Sequence, residues 1–226
     1  MCSSDLGADD EVRIRRSVAS HSKVLGVVLG GDTRAESVRN GLEALPTDAD
    51  IVLVHDAARP LLTPALIDRI IEGVKRTGGA VPGTPLSDTV KRVSTEGKVL
   101  STVPRSVVIG DEQIAGLTAV QTPQGAKASH LRVAYDTFDF EHGEPTDEAS
   151  LLEAVGFAVE IVQGDPTNIK ITRQEDIALA ERLLGATPSP ARGVPQGEIR
   201  TGFGYDVHRF ASPEAGRSEE HTSELQ

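Results

Sequence analysis

The chain has 226 residues and a formal net charge of -11, from 34 acidic against 23 basic side chains. That balance argues against a nucleic-acid or anionic-membrane surface, since either needs a basic face. An aromatic content of 3% with no tryptophan leaves no stacking platform for single strands. The single cysteine, Cys2, excludes an intrachain disulfide and a cysteine-based structural zinc site, which fits a reducing, cytoplasmic setting. No apolar stretch approaches the roughly 20 residues that span a bilayer.

Residues 1–6 and 217–226 read as translated adapter sequence, leaving 7–216 as the native window. Within it, apolar runs alternate with helix-period segments, the pattern of βαβ units around a mostly parallel sheet. A strand is expected over 24–29. It turns at Gly30-Gly31-Asp32 into a helix over 34–45, whose Ala35, Val38, Leu42 and Leu45 share a face. Residues 51–54 are four apolar residues without alternation, which belongs to a strand covered on both faces. Pro64 opens a helix striped by Leu66, Ile67, Ile70, Ile71 and Val74 and stopped at Gly78-Gly79. Strand-like pieces at 89–93 and 99–103, joined by Ser94-Thr95-Glu96-Gly97, predict a β-hairpin arm projecting from the sheet. Helices over 126–140 and 146–155 follow, the second capped by Thr146, then a strand over 158–162 and a helix over 173–184. Residues 186–198, rich in Pro and Gly, read as a linker, and 199–216 as the first strand of a second domain.

The run from Ile51 to Pro60 delivers Asp56 and Arg59 to the carboxyl end of a buried strand, where open α/β sheets bind ligands. An aspartate there can hold magnesium, which in turn holds phosphate oxygens. Taken alone, Asp56 would serve equally well as the cap of the following helix, with Arg59 solvated. The turn at Gly30 to Ser37 offers backbone amides, Arg34 and Ser37 to a ligand, though a simple capped loop explains it as well. Asp206 and His208, two apart on a strand-like segment, would share a face, as two ligands of one metal must.

Several motifs occur in one order: Gly30-Gly31-Asp32 with Arg34 and Ser37; Val54-His55-Asp56-Ala57-Ala58-Arg59-Pro60; Asp88-Thr89-Val90-Lys91-Arg92; Gln121-Thr122-Pro123-Gln124; Thr146-Asp147-Glu148-Ala149-Ser150; and Asn168-Ile169-Lys170-Ile171-Thr172. In this order, over about residues 20–185, the chain resembles the 2-C-methyl-D-erythritol 4-phosphate cytidylyltransferases. The resemblance implies a Rossmann-like nucleotidyltransferase fold within α/β, and a homodimer formed by exchange of the β-arm. It implies transfer of CMP from CTP to 2-C-methyl-D-erythritol 4-phosphate with pyrophosphate release, a step of non-mevalonate isoprenoid precursor synthesis.

Carried over to this sequence, the resemblance places Gly31, Asp32 and Ser37 on the cytidine base and ribose, with Ala57 backing the nucleotide. Asp56 would ligate Mg2+, and Lys170 would stand against the α-phosphate. Arg59 and Thr122 would hold methylerythritol phosphate, while Thr89 and Arg105 would reach from the arm into the partner subunit's site. Such a kit suits phosphoryl-type transfer, which asks for little covalent work and much charge neutralisation.

The family's first strand runs into a glycine-rich loop, with an arginine and a lysine, that cradles the triphosphate, and residues 1–30 carry no match to it. The expectation is therefore a domain over 7–185 lacking its first β-α-β portion, and little or no activity. The alternative function is a Rossmann-like module that dimerises or binds sugar phosphate without catalysis.

Residues Thr201 to Phe210 resemble the opening of 2-C-methyl-D-erythritol 2,4-cyclodiphosphate synthase. That resemblance implies a bifunctional parent whose second activity is a lyase, with Asp206 and His208 as part of a Zn2+ or other divalent site.

Overall fold

The computed structural model describes residues 8–104, 107–109, 112–114 and 116–186. Both adapter-like ends, Arg105, most of the linker and the segment bearing Asp206 and His208 lie outside the described residues.

Helix α1 (Ala8–Val18) leads, followed by α2 (Arg34–Glu43), strand β1 (Ile51–Val54), α3 (Pro64–Thr77) and β2 (Gly79–Pro85). Two small hairpins come next, β3 (Lys91–Val93) with β4 (Val99–Thr102), and β5 (Val107–Ile109) with β6 (Glu112–Ile114). The chain returns through β7 (Thr118–Val120) and β8 (Gln124–Lys127) to α4 (Ala128–Thr137), α5 (Glu148–Ala154), β9 (Glu160–Gln163) and α6 (Gln174–Ala186).

The central sheet holds β1, β8, β2, β7 and β9. β9 runs parallel to β2 along one edge, while β7 and then β8 run antiparallel along the other; β8 is also antiparallel to β1. Strands β1, β2 and β9 therefore share one direction, and the reversed β7–β8 track is inserted between β1 and β2. The sheet is mixed, with β1, β2 and β9 as its parallel set and β7–β8 reversed, within the α/β class that was expected. The reason lies in the connection. Among the described residues no helix crosses over between β2 and β7, and the chain comes back along β2 in the opposite sense.

Both faces of the sheet are covered. On one, α3 sets Leu66, Ile70 and Val74 against Ala80 and Val162, with Ile51 and Leu53 alongside. On the other, Leu131, Ala134 and Tyr135 of α4 and Leu151 and Leu152 of α5 pack with Val52 and Ala126. Ile51 and Leu53 alternate with Val52 between the two clusters, so an all-apolar β1 is required. Each fully buried Leu or Ile contributes about 1.5–3 kcal/mol. Helix α3 is bounded as its sequence predicts. The Thr63 hydroxyl accepts from the Leu66 amide, Pro64 occupies the first turn, and Gly78 ends the helix at φ 96°, where glycine is favoured.

Three local expectations change, and one helix is added. Residues 24–29 form no strand, and Leu25, Val28 and Leu29 are 60%, 47% and 59% exposed. Apolar residues become a strand only through a ladder partner, and among the described residues β1 pairs with β8 alone. Residues 126–127, expected to start a helix, belong to β8 instead, because they are drawn into pairing between β1 and β2. The cap of α5 is Asp147, whose carboxylate accepts from the Ser150 amide while the Ser150 hydroxyl accepts from the Asp147 amide. Helix α1 is an addition that the sequence reading did not contain. Among the described residues no helix is long and apolar enough to cross a membrane.

Candidate active site

The carboxyl end of β1 gathers five of the expected site residues. The Lys170 Nζ lies 3.1 Å from Asp56 Oδ2, and the Arg59 Nε lies 3.9 Å from the same oxygen. The Asp56 backbone amide donates to the Thr122 hydroxyl at 3.0 Å. A turn with the Arg59 amide bonded to the Asp56 carbonyl carries Ala57 between them. The Ile171 amide donates to the Ala58 carbonyl at 2.8 Å, which fixes the segment bearing Lys170 against this turn.

His55 braces the arrangement from behind. Its Nε2 faces the Arg59 carbonyl at 3.0 Å and its Nδ1 faces the Thr122 hydroxyl at 3.1 Å. A carbonyl can only accept, so Nε2 carries the proton and Nδ1 takes the hydroxyl proton of Thr122; the hydroxyl oxygen then receives the Asp56 amide. Burial pushes the imidazole below its ordinary pKa, against the opposing effects of the Arg59 carbonyl and the Asp56 charge. Burial thus favours the neutral tautomer in which Nε2 donates and Nδ1 accepts.

Sequence reasoning assigned no separate role to the polar residues that hold this cluster in place. Asn168 is completely buried, and its side-chain amide donates to the Thr122 carbonyl at 2.9 Å. Its own carbonyl accepts from Arg59 Nη1 at 2.8 Å and from Gln121 Nε2 at 3.3 Å. Gln121 also exchanges two hydrogen bonds with the Asp165 backbone, at 2.8 and 3.0 Å. The available signal was the presence of Asn168 and Gln121 inside motifs at strand ends. A cleft of about 460 Å³ opens beside Arg59, lined by Gly83, Thr84, Gln121, Gln163 and Asn168 among others. The Arg59 Nε and the Asn168 Oδ1 are buried there without a hydrogen-bond partner.

The turn into α2, which carries Gly31, Asp32 and Ser37, is held by its own hydrogen bonds. Its Gly31 amide donates to Ser37 Oγ at 3.1 Å, and Ser37 Oγ donates to the Thr33 carbonyl at 2.9 Å. Thr33 and Glu36 cap α2 reciprocally, and Glu36 Oε2 also accepts from the Asp32 amide at 2.6 Å, leaving the residue Asp32 exposed. Gly31 has no room for a side chain, since a Cβ would fall 2.3 Å from the Glu36 Cβ. Burial opposes the charge on Arg34, but the carboxylate of Glu148 outweighs it and raises the guanidinium above its usual range; Asp56 adds to that rise.

Thr89 stands exposed on the approach to β3. Among the described residues no three His, Cys, Asp or Glu side chains gather as a metal cage. One carboxylate is nevertheless enough where phosphate oxygens complete the coordination of magnesium, and neither ion pair of Asp56 uses its Oδ1. The donor chemistry at Asp56 fits that ion.

Residues 6–186 match the family model described as IspD: 2-C-methyl-D-erythritol 4-phosphate cytidylyltransferase. The "Bifunctional enzyme IspD/IspF" of Mesorhizobium japonicum is 41% identical over 205 residues, covering 90% of this chain and 47% of that protein. The 2-C-methyl-D-erythritol 4-phosphate cytidylyltransferase of Synechocystis sp. is 42% identical over 163 residues, covering 72% of this chain and 67% of that protein. The chain thus spans about half the length of the bifunctional relatives it matches. The crystal structure of 2-C-methyl-D-erythritol 4-phosphate cytidylyltransferase from Thermus thermophilus superposes with a TM-score of 0.59 at 38% identity, covering 69% of this chain and 71% of that one. The 4-diphosphocytidyl-2C-methyl-D-erythritol synthase of Anaerococcus prevotii gives a TM-score of 0.67 at 28% identity, covering 79% of this chain and 78% of that one. With its ordered motifs, its α/β fold and a family match that runs from α1 into α6, the chain belongs to the 2-C-methyl-D-erythritol 4-phosphate cytidylyltransferase family.

Proposed function

We propose that the protein transfers CMP from CTP to 2-C-methyl-D-erythritol 4-phosphate, releasing pyrophosphate, in isoprenoid precursor synthesis. The observation that carries this reading is the Asp56, Lys170 and Arg59 cluster at the carboxyl end of β1. A phosphate oxygen of the sugar phosphate attacks the α-phosphorus of CTP in line, the new P–O bond forms, and the bond to pyrophosphate breaks. The attacking phosphate needs no strong base, so the protein's task is positioning and charge neutralisation. Lys170 faces the α-phosphate; Arg59 and Thr122 hold the sugar phosphate in the adjoining cleft. Gly31, Asp32 and Ser37 meet the base and ribose, with Ala57 behind the nucleotide. Bound at Asp56, Mg2+ would supply further charge neutralisation on the phosphate oxygens.

The dimer belongs to the same proposal. The hairpin of β3 and β4 exposes Val93, Val99 and Leu100 at 57%, 62% and 67%, an apolar surface suited to a second copy. Thr89 and Arg105 would then complete the partner subunit's site. The bifunctional relatives support a parent protein with a cyclodiphosphate synthase unit after the linker, in which Asp206 and His208 begin a Zn2+ site. A cytoplasmic location fits the cysteine usage and the soluble substrates.

Residues 24–31 favour a second reading, a module that binds substrates without turnover. They form no strand and carry no lysine or arginine to face a triphosphate. Pyrophosphate release from CTP and methylerythritol phosphate by this chain, abolished by Asp56→Asn and by Lys170→Ala, establishes the enzyme. CMP binding without release establishes the module, and absence of both overturns each reading.

A further inference from the structure

Glu148 is 2% exposed, yet it is a carboxylate, and its partner lies 114 residues away in the chain. Its Oε1 and Oε2 accept from Arg34 Nη1 and Nη2 at 2.7 and 2.6 Å, a two-pronged contact that fixes direction as well as distance. Arg34 is the first residue of α2, and Glu148 the first of α5. The pair therefore joins two helix starts. It does not serve as a cap for either, because Thr33 with Glu36 and Asp147 with Ser150 already close both ends.

The contacts continue on each side. Toward the nucleotide turn, Arg34 follows Gly31, Asp32 and Thr33, whose amides and carbonyl are held by Ser37 and Glu36. Toward the sheet, the Asp147 carboxylate accepts from Gln124 Nε2 at 2.8 Å, and the Ala149 amide donates to Gln124 Oε1 at 2.9 Å. Gln124 is itself buried and stands two residues beyond Thr122. One continuous set of hydrogen bonds and chain links thus connects the turn at Gly31 with the hydroxyl that receives the Asp56 amide.

We infer that Glu148 is a positioning residue: through Arg34 it sets the cytidine-side turn at a fixed distance and angle from the Thr122 and Asp56 end of the site. The functional half of this inference rests on the cytidine assignment made above for Gly31, Asp32 and Ser37. A buried ion pair need not add net stability, since well-packed apolar replacements of similar volume are often neutral. What such replacements cannot reproduce is the two-pronged direction.

That difference gives the test. Three chains are compared, the wild type, Glu148→Gln, and the double variant Arg34→Met with Glu148→Met, using CMP as the probe. Melting temperature, CMP affinity and hydrogen exchange at the Gly31 and Asp32 amides are measured for each. The double variant is expected to melt near the wild type while binding CMP about tenfold or more weakly and losing protection at the two amides, the scale seen when outer supports of a site are removed. Recovery of both CMP affinity and amide protection in the double variant would show a purely structural pair and overturn the inference. If the wild type binds no CMP, the cytidine assignment fails, and the amides still decide: unchanged protection overturns the positioning role, and lost protection upholds it.

Discussion

The Lys170 ammonium and the Asp56 carboxylate meet at 3.1 Å, joining the end of β1 to the segment that follows β9. Asp56 also sits 3.9 Å from Arg59, so one carboxylate stands between two cations. Without substrates it balances the charge that phosphates would otherwise balance.

Removing either member should therefore affect chemistry far more than folding. The side chains are 36% exposed for Lys170 and 18% for Asp56, and pairs this accessible to solvent contribute at most about 1 kcal/mol. Asp56→Asn and Lys170→Ala are expected to keep the urea midpoint close to wild type. In a chain that turns over, each should lower kcat by about 10²–10³, the scale for one lost electrostatic contact to a transition state. A large stability loss with unchanged turnover would contradict the assignment.

Asn168 should behave in the opposite way. Its buried amide holds the Thr122 carbonyl, and its main chain receives Arg59 and Gln121. Asn168→Ala leaves the Thr122 carbonyl without its donor, at a cost of about 1–3 kcal/mol. Equilibrium urea unfolding reads this directly, and a midpoint equal to wild type would show that the brace is dispensable.

Gly31→Ala tests the turn. The added Cβ would fall 2.3 Å from the Glu36 Cβ and 2.6 Å from its Oε2, so the capping box of α2 must open. The expected loss is about 0.5–2 kcal/mol, the range for a lost helix cap, together with weaker CMP binding in a titration.

His55 makes stability depend on pH in a definite direction. Its folded pKa lies below the ordinary value, so the unfolded chain takes up the proton first. The contribution is complete above about pH 6.5 and is lost as pH falls through the folded pKa. Urea midpoints of the wild type should therefore fall between pH 7 and pH 5 more steeply than those of His55→Gln. Equal slopes would place the pH dependence in other groups.

The arm can be tested in solution. Leu100→Asp, at a residue 67% exposed in one chain, should leave the far-ultraviolet spectrum unchanged and convert a dimer to a monomer in sedimentation. A wild-type chain that sediments as a monomer would remove the arm-exchange proposal.

Helix α3 could be read from sequence because its stripe, its Thr63 and Pro64 start and its Gly78 stop are local. β1 was legible for a related reason, since four apolar residues ending at His55 have nowhere to go but between two covered faces. The motifs also singled out Asp56, Arg59, Thr122 and Lys170, which the structure brings together at the end of β1. Three-dimensional pairing decided the rest. Residues 24–29 resemble a strand in composition but find no ladder, while Gln124–Lys127 became β8 because two neighbours were waiting for it. The reversed sense of β7 and β8 followed from a return through hairpins, which apolar patterning cannot register. The brace at Asn168 and the pair of Glu148 with Arg34 join residues far apart in the chain. Local sequence determined which elements formed where caps and periodicity agreed; only tertiary structure decided who faced whom, because a hydrogen-bond partner is a property of space and not of sequence order.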